Sequence, residues 1–106
     1  MAQFQLIYIT CRDVQEARLI AHALVQEKLA ACANIMPHMH SIYCWDGAVQ
    51  ESAEVLLLFK SDENFFATIA ARVKELHSYS TPCVVAVPLV AVESDYAAWL
   101  QANILQ

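Results

Sequence analysis

The chain has 106 residues, a formal net charge of −5 and 58% apolar residues. This length supports one hydrophobic core, so we predict a single domain over residues 1–106. The basic residues are too scattered to form a stripe, which argues against a nucleic-acid partner. No apolar run approaches the roughly 18 residues that cross a bilayer, so no membrane partner is predicted. The surplus of apolar residues favours contacts between copies of the chain, and a tightly packed monomer is the alternative.

The first residues, MAQFQLIYIT, show no positively charged n-region and no cleavage site. They predict a first strand rather than a secretory signal, and therefore a cytoplasmic protein. The four cysteines are then expected to be reduced thiols. They form no CxxC pair, which argues against a zinc ribbon and a thioredoxin-type motif.

The first strand is followed by a predicted helix. Asp13 and Glu16 have the spacing of a capping box, which marks the beginning of a helix. Ala17, Ile20 and Leu24 then recur at helical spacing. This periodicity predicts a helix that packs on the sheet through small side chains.

Residues 27–60 are typical of two very long strands joined at Asp46-Gly47, which contains the only glycine of the chain. Most strands have about 5–6 residues, so this hairpin should extend beyond the other strands of its sheet. Its projecting part would leave Tyr43 and Trp45 without an internal partner, as is usual where a second chain completes a sheet. Pro37 predicts that the first strand of the hairpin lies at an edge or carries a bulge.

Further elements follow in the second half of the chain. Ser61 or Asp62 can cap a helix that carries its apolar residues on one face. Residues 83–90 predict a fourth strand, and Pro88 places it at an edge. Residues 93–95 start a short last helix. This order predicts an α+β, ferredoxin-like βαββαβ sandwich with an extended β2–β3 hairpin and a C-terminal helix. We expect the first and third strands to be adjacent and parallel.

In that arrangement, Cys11, Lys60, His77 and Cys83 are predicted to meet at one end of the sheet. Two thiols and an imidazole suit a soft or borderline ion such as copper or zinc. The alternative is that Cys11 and Cys83 are buried cysteines that act as small apolar side chains.

The sequence argues against an enzyme. A single glycine excludes a P-loop and a dinucleotide fingerprint, and neither HExxH nor a nucleophile elbow is present. A Cys11–His77 nucleophile pair has no evident carboxylate to orient it. The aromatic residues Tyr43, Trp45, Tyr96 and Trp99 are candidates for interface anchors, with an ordinary core position as the alternative.

The motifs EKLAACANI, SIYCWDG, SAEVLLLFK and LHSYSTP together resemble the CutA divalent-cation-tolerance family. The resemblance implies a ferredoxin-like homotrimer whose hairpin arms pair with neighbouring subunits. It also implies a cytosolic role in the response to copper and other divalent metal ions, without an established enzyme activity. A further likeness to PII-type trimers implies an alternative function, in which a signalling or scaffold trimer binds a small ligand or protein partner in its intersubunit clefts.

Carried over by position, the resemblance places metal ligands at Cys11 and His77. Near His77, the family pattern has a proline and two acidic residues where this chain has Ser78, Ser80 and Cys83. The loss of carboxylates and the gain of a thiol make the predicted metal set Cys11, His77 and Cys83 softer, which favours copper or a similar ion. Other matching positions are assigned to the intersubunit cleft or interface: Cys32, Tyr43, Trp45, Glu54, Lys60, Tyr79, Tyr96 and Trp99.

Overall fold

A computed structural model describes residues 3–106 of the chain. The domain is α+β, as predicted, with four strands and three helices among these residues. The strands are β1 (Phe4–Cys11), β2 (Cys32–Trp45), β3 (Ala48–Asp62) and β4 (Val84–Pro88). The helices are α1 (Val14–Gln26), α2 (Phe66–Leu76) and α3 (Ser94–Ala102), and a 3₁₀ turn at Glu63–Phe65 precedes α2.

The sheet has the order β2-β3-β1-β4, which confirms the ferredoxin-like fold and the two proline-containing edge strands. The expectation that the first and third strands are parallel was wrong, because β1 and β3 pair antiparallel from Phe4↔Asp62 to Cys11↔Val55. The reason is the direction of the chain. The α1 crossover makes β2 parallel to β1, and the hairpin then reverses β3 relative to both strands.

The two faces of the sheet differ in burial. On one face, Ile7, Ile9, Leu57 and Phe59 are fully buried in a core shared with α1 and α2. On the other face, alternate residues such as Tyr8 are only partly buried. This alternation follows from the two-residue period of strands, and it leaves one face of the sheet incompletely covered in the single chain.

Side chains near the helix starts cap the first backbone N–H groups. The Asp13 side chain accepts a hydrogen bond from the Glu16 N–H at 2.8 Å, which confirms the predicted beginning of α1. The Glu16 carboxylate reaches back to the N–H of Arg12, one residue before the cap. Of the two predicted caps at the second helix, Asp62 is the one used, and it caps the 3₁₀ turn that precedes α2.

The hairpin arm, defined as residues 39–54, projects beyond the sheet. Its pairs run from Met39↔Glu54 to Trp45↔Ala48, whereas the pairing of β3 with β1 stops at Val55. The Asp46-Gly47 turn has φ angles of 52° and 76°, as a type I′ hairpin turn requires. A register shift between Met36 and Met39 confirms the irregularity that Pro37 predicted.

We expect substitutions at Gly47 to act through the backbone conformation alone, because no atom lies within 4 Å of an added Cβ. Gly47→Val should destabilise the protein by about 1 kcal/mol relative to Gly47→Asn, since asparagine tolerates positive φ and valine does not. Chemical unfolding of the two variants at one protein concentration measures the difference. Equal stabilities would show that the arm adopts another turn.

Candidate functional site

A buried polar cluster lies where β1, α1 and α2 meet. Cys11 ends β1, Glu16 lies in the first turn of α1, and His77 is the C-cap of α2. All three residues are buried, and one ligand-type atom from each lies within 4.8 Å of the others. The fold therefore brings together a thiol, a carboxylate and an imidazole that are distant in sequence.

Hydrogen bonds occupy both ring nitrogens of His77. Nδ1 accepts from the N–H of Tyr79 at 3.0 Å, so the ring proton belongs on Nε2, which donates to the Thr10 carbonyl at 2.8 Å. In this arrangement the ring accepts through Nδ1 and donates through Nε2. The hydrogen bond to Thr10 also links the end of α2 to the end of β1.

Glu16 fastens the same segment to α1. One carboxylate oxygen accepts from the N–H of Ser78 at 2.6 Å and the other accepts from the N–H of Arg12 at 2.8 Å. Burial alone would raise the pKa of Glu16, but these bonds to Ser78 and Arg12, together with nearby His77, hold it below its ordinary value. The carboxylate is therefore ionised at neutral pH, and its negative charge is compensated by backbone N–H groups.

Cys11 is a protonated thiol. Burial, followed by the negative charges of Glu16, Glu54 and Asp13, raises its pKa to about 12. The thiolate is the form that binds metals, so an ion at this position would have to displace the proton. The environment favours an inert, buried cysteine over a preformed ligand.

The donor types of Cys11, Glu16 and His77 suit a borderline ion, but their arrangement does not fit a resident one. The imidazole has no free lone pair, because Nδ1 accepts one backbone hydrogen bond and Nε2 carries the proton that makes the other. The thiol keeps its proton, and each carboxylate oxygen already accepts a backbone N–H. In this conformation the cluster is a hydrogen-bonded junction between three elements.

The predicted ligand Cys83 lies outside this cluster as formed by residues 3–106. The reason is the alternation of β strands. Cys11 belongs to the buried helix-facing side of β1, whereas Cys83 lines a cavity together with Tyr8 and Thr10, which point to the opposite side of the sheet. Proximity in the sheet therefore does not bring the two thiols to one site.

Lys60 also lies away from Cys11, contrary to prediction. It pairs with Leu6 in β1, near the beginning of that strand, whereas Cys11 pairs with Val55. The error follows from the assumed parallel pairing, which placed the wrong end of β3 beside the end of β1. Glu16 was absent from the predicted ligand set, because its spacing from Asp13 was interpreted only as a helix cap.

At the Lys60 end of the sheet, several predicted cleft residues are neighbours. The Lys60 ammonium lies 3.8 Å from the Cys32 sulfur and 5.6 Å from the centre of the Tyr96 ring. The Tyr96 hydroxyl lies 3.6 Å from the same sulfur, and its ring stacks on Trp99. The fold thus assembles a second polar group, separate from the buried cluster.

The other predicted cleft residues gather at a cavity of about 650 Å³ beside the hairpin arm. Glu54 lies at this cavity and is only 8% exposed, and its carboxylate accepts a hydrogen bond from the Tyr79 hydroxyl at 2.7 Å. The ring of Tyr79 lies against His77, with 4.6 Å between the ring centres. The buried cluster therefore positions a side chain that forms the cavity wall. The lining is Tyr8, Thr10, Met39, His40, Ser41, Ile42, Tyr43, Trp45, Glu54, Tyr79, Ser80, Thr81 and Cys83.

The candidate interface anchors are exposed in the single chain. Tyr43, Trp45, Tyr96 and Trp99 all have large accessible surfaces, so the alternative that they are ordinary core residues is wrong for this domain. Tyr43 and Trp45 lie on the arm, whereas Tyr96 and Trp99 lie on α3. Aromatic residues exposed in this way are typical of surfaces that bind partners.

The fold and the arm together define a ferredoxin-like α+β protein with an extended hairpin. The sequence profile of the CutA1 divalent ion tolerance protein family matches residues 5–103. The chain therefore belongs to the CutA divalent-cation-tolerance family, which is not a known enzyme family.

Two bacterial and plant relatives match nearly the whole of this chain. The divalent-cation tolerance protein CutA of Thermus thermophilus is 44% identical over 93% of this chain and 96% of its own. The solved structure of a divalent cation tolerance protein from the same organism superposes with a TM-score of 0.93, covering 95% of this chain and 98% of its own. CutA1 from Oryza sativa is 33% identical with a TM-score of 0.96, over 99% of this chain and 96% of its own.

A third relative concerns the compartment. The CutA structure from Archaeoglobus fulgidus, which is described as periplasmic, is 35% identical with a TM-score of 0.92, over 94% of this chain and 97% of its own. Membership of the family therefore does not fix the compartment, and the cytoplasmic location stays a prediction. Within residues 3–106, each helix is too short or too polar to traverse a bilayer.

Glu16→Gln should destabilise the protein by about 1–3 kcal/mol at pH 7, because a neutral amide accepts hydrogen bonds from Arg12 and Ser78 less strongly than a carboxylate. The pKa of Glu16 is lowered in the folded state, so this stabilisation is present at neutral pH and is lost as the pH falls through the folded-state pKa. Urea unfolding at pH 7 and pH 3, at one protein concentration, measures both differences.

The exposed carboxylate Glu63, which lies outside the arm, is the matched control, and Glu63→Gln should change stability by less than about 0.5 kcal/mol. If Glu16→Gln is as stable as the parent protein at pH 7, or if its deficit grows on acidification, the junction does not depend on the Glu16 charge.

Proposed function

We propose that this chain functions as a homotrimer in divalent-cation tolerance and that the hairpin arm holds the subunits together. The observation that supports the proposal is that the two strands of the arm pair only with each other and not with the rest of the sheet. Isolated two-stranded ribbons are marginally stable in water, so the arm is expected to pack against another surface.

The side chains of the arm support this assembly. Ile42 is 68% exposed, Trp45 is 60% exposed and Val49 is 79% exposed. Burial of apolar surface contributes about 25 cal/mol per Å², so covering these side chains would stabilise an assembly substantially. The residues of β3 that precede Val55 do not pair with β1. Their backbone groups on that side are therefore available to a neighbouring strand.

The edges of the sheet support a ring. One edge is the long strand β2 and the other is the short strand β4, so the two edges are unlike. Contacts between unlike surfaces are head-to-tail, and they close into a ring when the rotation between subunits permits. On β4, Val85 and Val87 are half exposed and offer further apolar surface to a neighbour. The number three comes from the resemblance to the family.

Trp45→Asp should dissociate the trimer into smaller species, because it places a charge among the apolar side chains of the arm. Sedimentation velocity at micromolar concentration measures the change. Leu19→Asp is the matched control, since Leu19 is 56% exposed and lies on α1, away from the arm and from both edges of the sheet. A Trp45→Asp protein that sediments like the parent protein would remove the arm from the interface, and a parent protein that sediments as a monomer would remove the trimer.

Direct binding of copper or a similar divalent ion by Cys11 and His77, together with Glu16 in place of the predicted Cys83, is a second candidate function. The observation in its favour is the short distance between the ligand atoms of Cys11, Glu16 and His77. The hydrogen bonds of His77 and the proton of Cys11 oppose it, so an ion would have to displace both. Such binding would be coupled to a local rearrangement, and it would not occur at a preformed centre.

Copper titration of the reduced protein tests this candidate. If these residues bind the ion, Cys11→Ser should weaken binding by roughly tenfold or more, since serine is a poor ligand for soft ions, whereas Cys83→Ser on the opposite face of the sheet should not. Cys44→Ser, at an exposed thiol on the arm, is the control and should leave the Cys11-dependent affinity unchanged. Unchanged affinity and stoichiometry in Cys11→Ser would exclude this thiol as a ligand.

The alternative is a signalling or scaffold trimer of PII-like type that binds a small ligand. The cavity beside the arm supports this alternative, because its volume of about 650 Å³ lies within the range of small-molecule sites. It is lined by residues of β1, the arm and the segment after α2. A ligand in this cavity would therefore contact the elements that also support assembly.

A further inference from the structure

Two charged side chains of β3 have no counter-charge within residues 3–106. Glu54 is 8% exposed, and its carboxylate accepts one side-chain hydrogen bond, from the neutral hydroxyl of Tyr79 at 2.7 Å. The Lys60 ammonium contacts neutral groups, with the Cys32 sulfur at 3.8 Å and the Asn34 side-chain oxygen at 3.4 Å. The ion pairs of the described residues include neither Glu54 nor Lys60. Each charge is therefore uncompensated in the single chain.

Both side chains belong to the face of the sheet that α1 and α2 leave uncovered. Glu54 precedes the buried Val55 and Lys60 follows the buried Phe59, so the alternation of β3 turns both side chains away from these helices. At roughly 3.3 Å per residue, the two positions lie about 20 Å apart along the strand. An ion pair requires contact within about 4 Å, so the two charges cannot pair within one chain.

The neighbours of Glu54 respond to its negative charge. Burial, followed by the hydrogen bond to Glu54 and its charge, raises the pKa of Tyr79 well above its ordinary value. Burial and then the charge of Glu54 also raise the pKa of Cys83. Removing a carboxylate from water is costly unless a counter-charge or several hydrogen bonds replace the lost hydration. One tyrosine hydroxyl is incomplete compensation.

The basic residues of the chain leave one candidate for the counter-charge. His40 lines the cavity beside Glu54, but its Nδ1 atom lies 3.7 Å from Glu51, and both of these side chains are more than half exposed. Among the lysines and arginines, Lys60 alone lies on a strand. The others lie on α1, on α2 or in the segments that follow β1 and α1. A lysine or arginine offered by the uncovered face of a neighbouring sheet is therefore Lys60.

We propose that Glu54 of one subunit pairs with Lys60 of the next subunit, so that each intersubunit cleft holds a site built from two chains. Contacts in a head-to-tail ring join unlike surfaces, and these two charges occupy opposite ends of one face. One chain supplies the carboxylate with Tyr79 and Cys83, and its neighbour supplies the ammonium with Cys32. The proposal rests on the homotrimer proposed above, and it makes the cavity beside the arm one half of a cleft.

Reversal of either charge tests the pair. Glu54→Lys and Lys60→Glu should each raise the dissociation constant of the trimer by at least roughly tenfold, because each brings like charges together at every contact between subunits. Sedimentation velocity of the full-length protein over a series of urea concentrations measures the fraction of trimer. Single variants that stay assembled as firmly as the parent protein would overturn the proposal.

The double variant Glu54→Lys, Lys60→Glu separates a direct pair from two independent defects. It restores opposite charges across the contact, so its trimer should be at least roughly tenfold tighter than that of either single variant. The two positions are too far apart within one chain to interact, so this recovery would report a contact between chains. A double variant no tighter than the single variants would overturn the pair.

The matched control combines Glu54→Lys with Lys74→Glu, which makes the same change in charge. Lys74 is exposed on α2, away from the sheet, so this variant should stay as weakly assembled as Glu54→Lys. Equal recovery by Lys74→Glu would assign the effect to net charge and overturn the pair.

Neutral substitutions keep the test decisive if a reversed charge prevents folding, which far-UV circular dichroism detects. Glu54→Gln and Lys60→Gln should weaken the trimer together by at least roughly threefold less than the product of their separate effects, because removing either partner already abolishes the pair. Independent effects would overturn the proposal.

The sedimentation runs also separate this proposal from the proposed assembly. A parent protein that sediments as a monomer overturns both. A parent trimer whose stability shows no coupling between Glu54 and Lys60 overturns the pair and leaves the assembly intact.

Discussion

The length difference between neighbouring strands is the constraint on which the rest of the structure depends. β2 and β3 have 14 and 15 residues, whereas β1 has 8 and β4 has 5. A sheet built from these strands has a complete four-stranded part and a two-stranded projection. In the complete part, α1 and α2 each pack one side against the core, whereas the projection has exposed apolar residues and one wall of a cavity. The hydrophobic core and the exposed arm therefore lie at different ends of the same two strands.

Local signals in the sequence were sufficient to predict most of the fold. Asp46-Gly47 predicted the turn, Pro37 predicted the irregular edge strand, and Asp13 predicted the start of α1, because each depends on a few neighbouring residues. The direction of β3 relative to β1 was predicted wrongly. This direction depends on both the α1 crossover and the hairpin that follows it. Because β3 was assigned the wrong direction, Lys60 was predicted at the end of the sheet opposite to the one it occupies.

The candidate site was harder to predict, because it depends on which face of the sheet each side chain occupies. Cys11 and Cys83 lie at adjacent ends of the neighbouring strands β1 and β4, yet their side chains belong to opposite faces of the sheet. Glu16 has two roles, since the position that helps to start α1 also brings its carboxylate to His77. Spacing alone indicates the first role, and only the packing of α1 against α2 indicates the second.

The buried cluster and the cavity are mechanically connected through Tyr79. Its backbone N–H is fixed by His77, whose own position depends on Thr10, and its hydroxyl reaches Glu54. A change that loosens His77 would therefore also move one wall of the cavity, because the same residue belongs to both. These hydrogen bonds give the buried Glu16 carboxylate and the His77 imidazole a structural role that needs no bound ion.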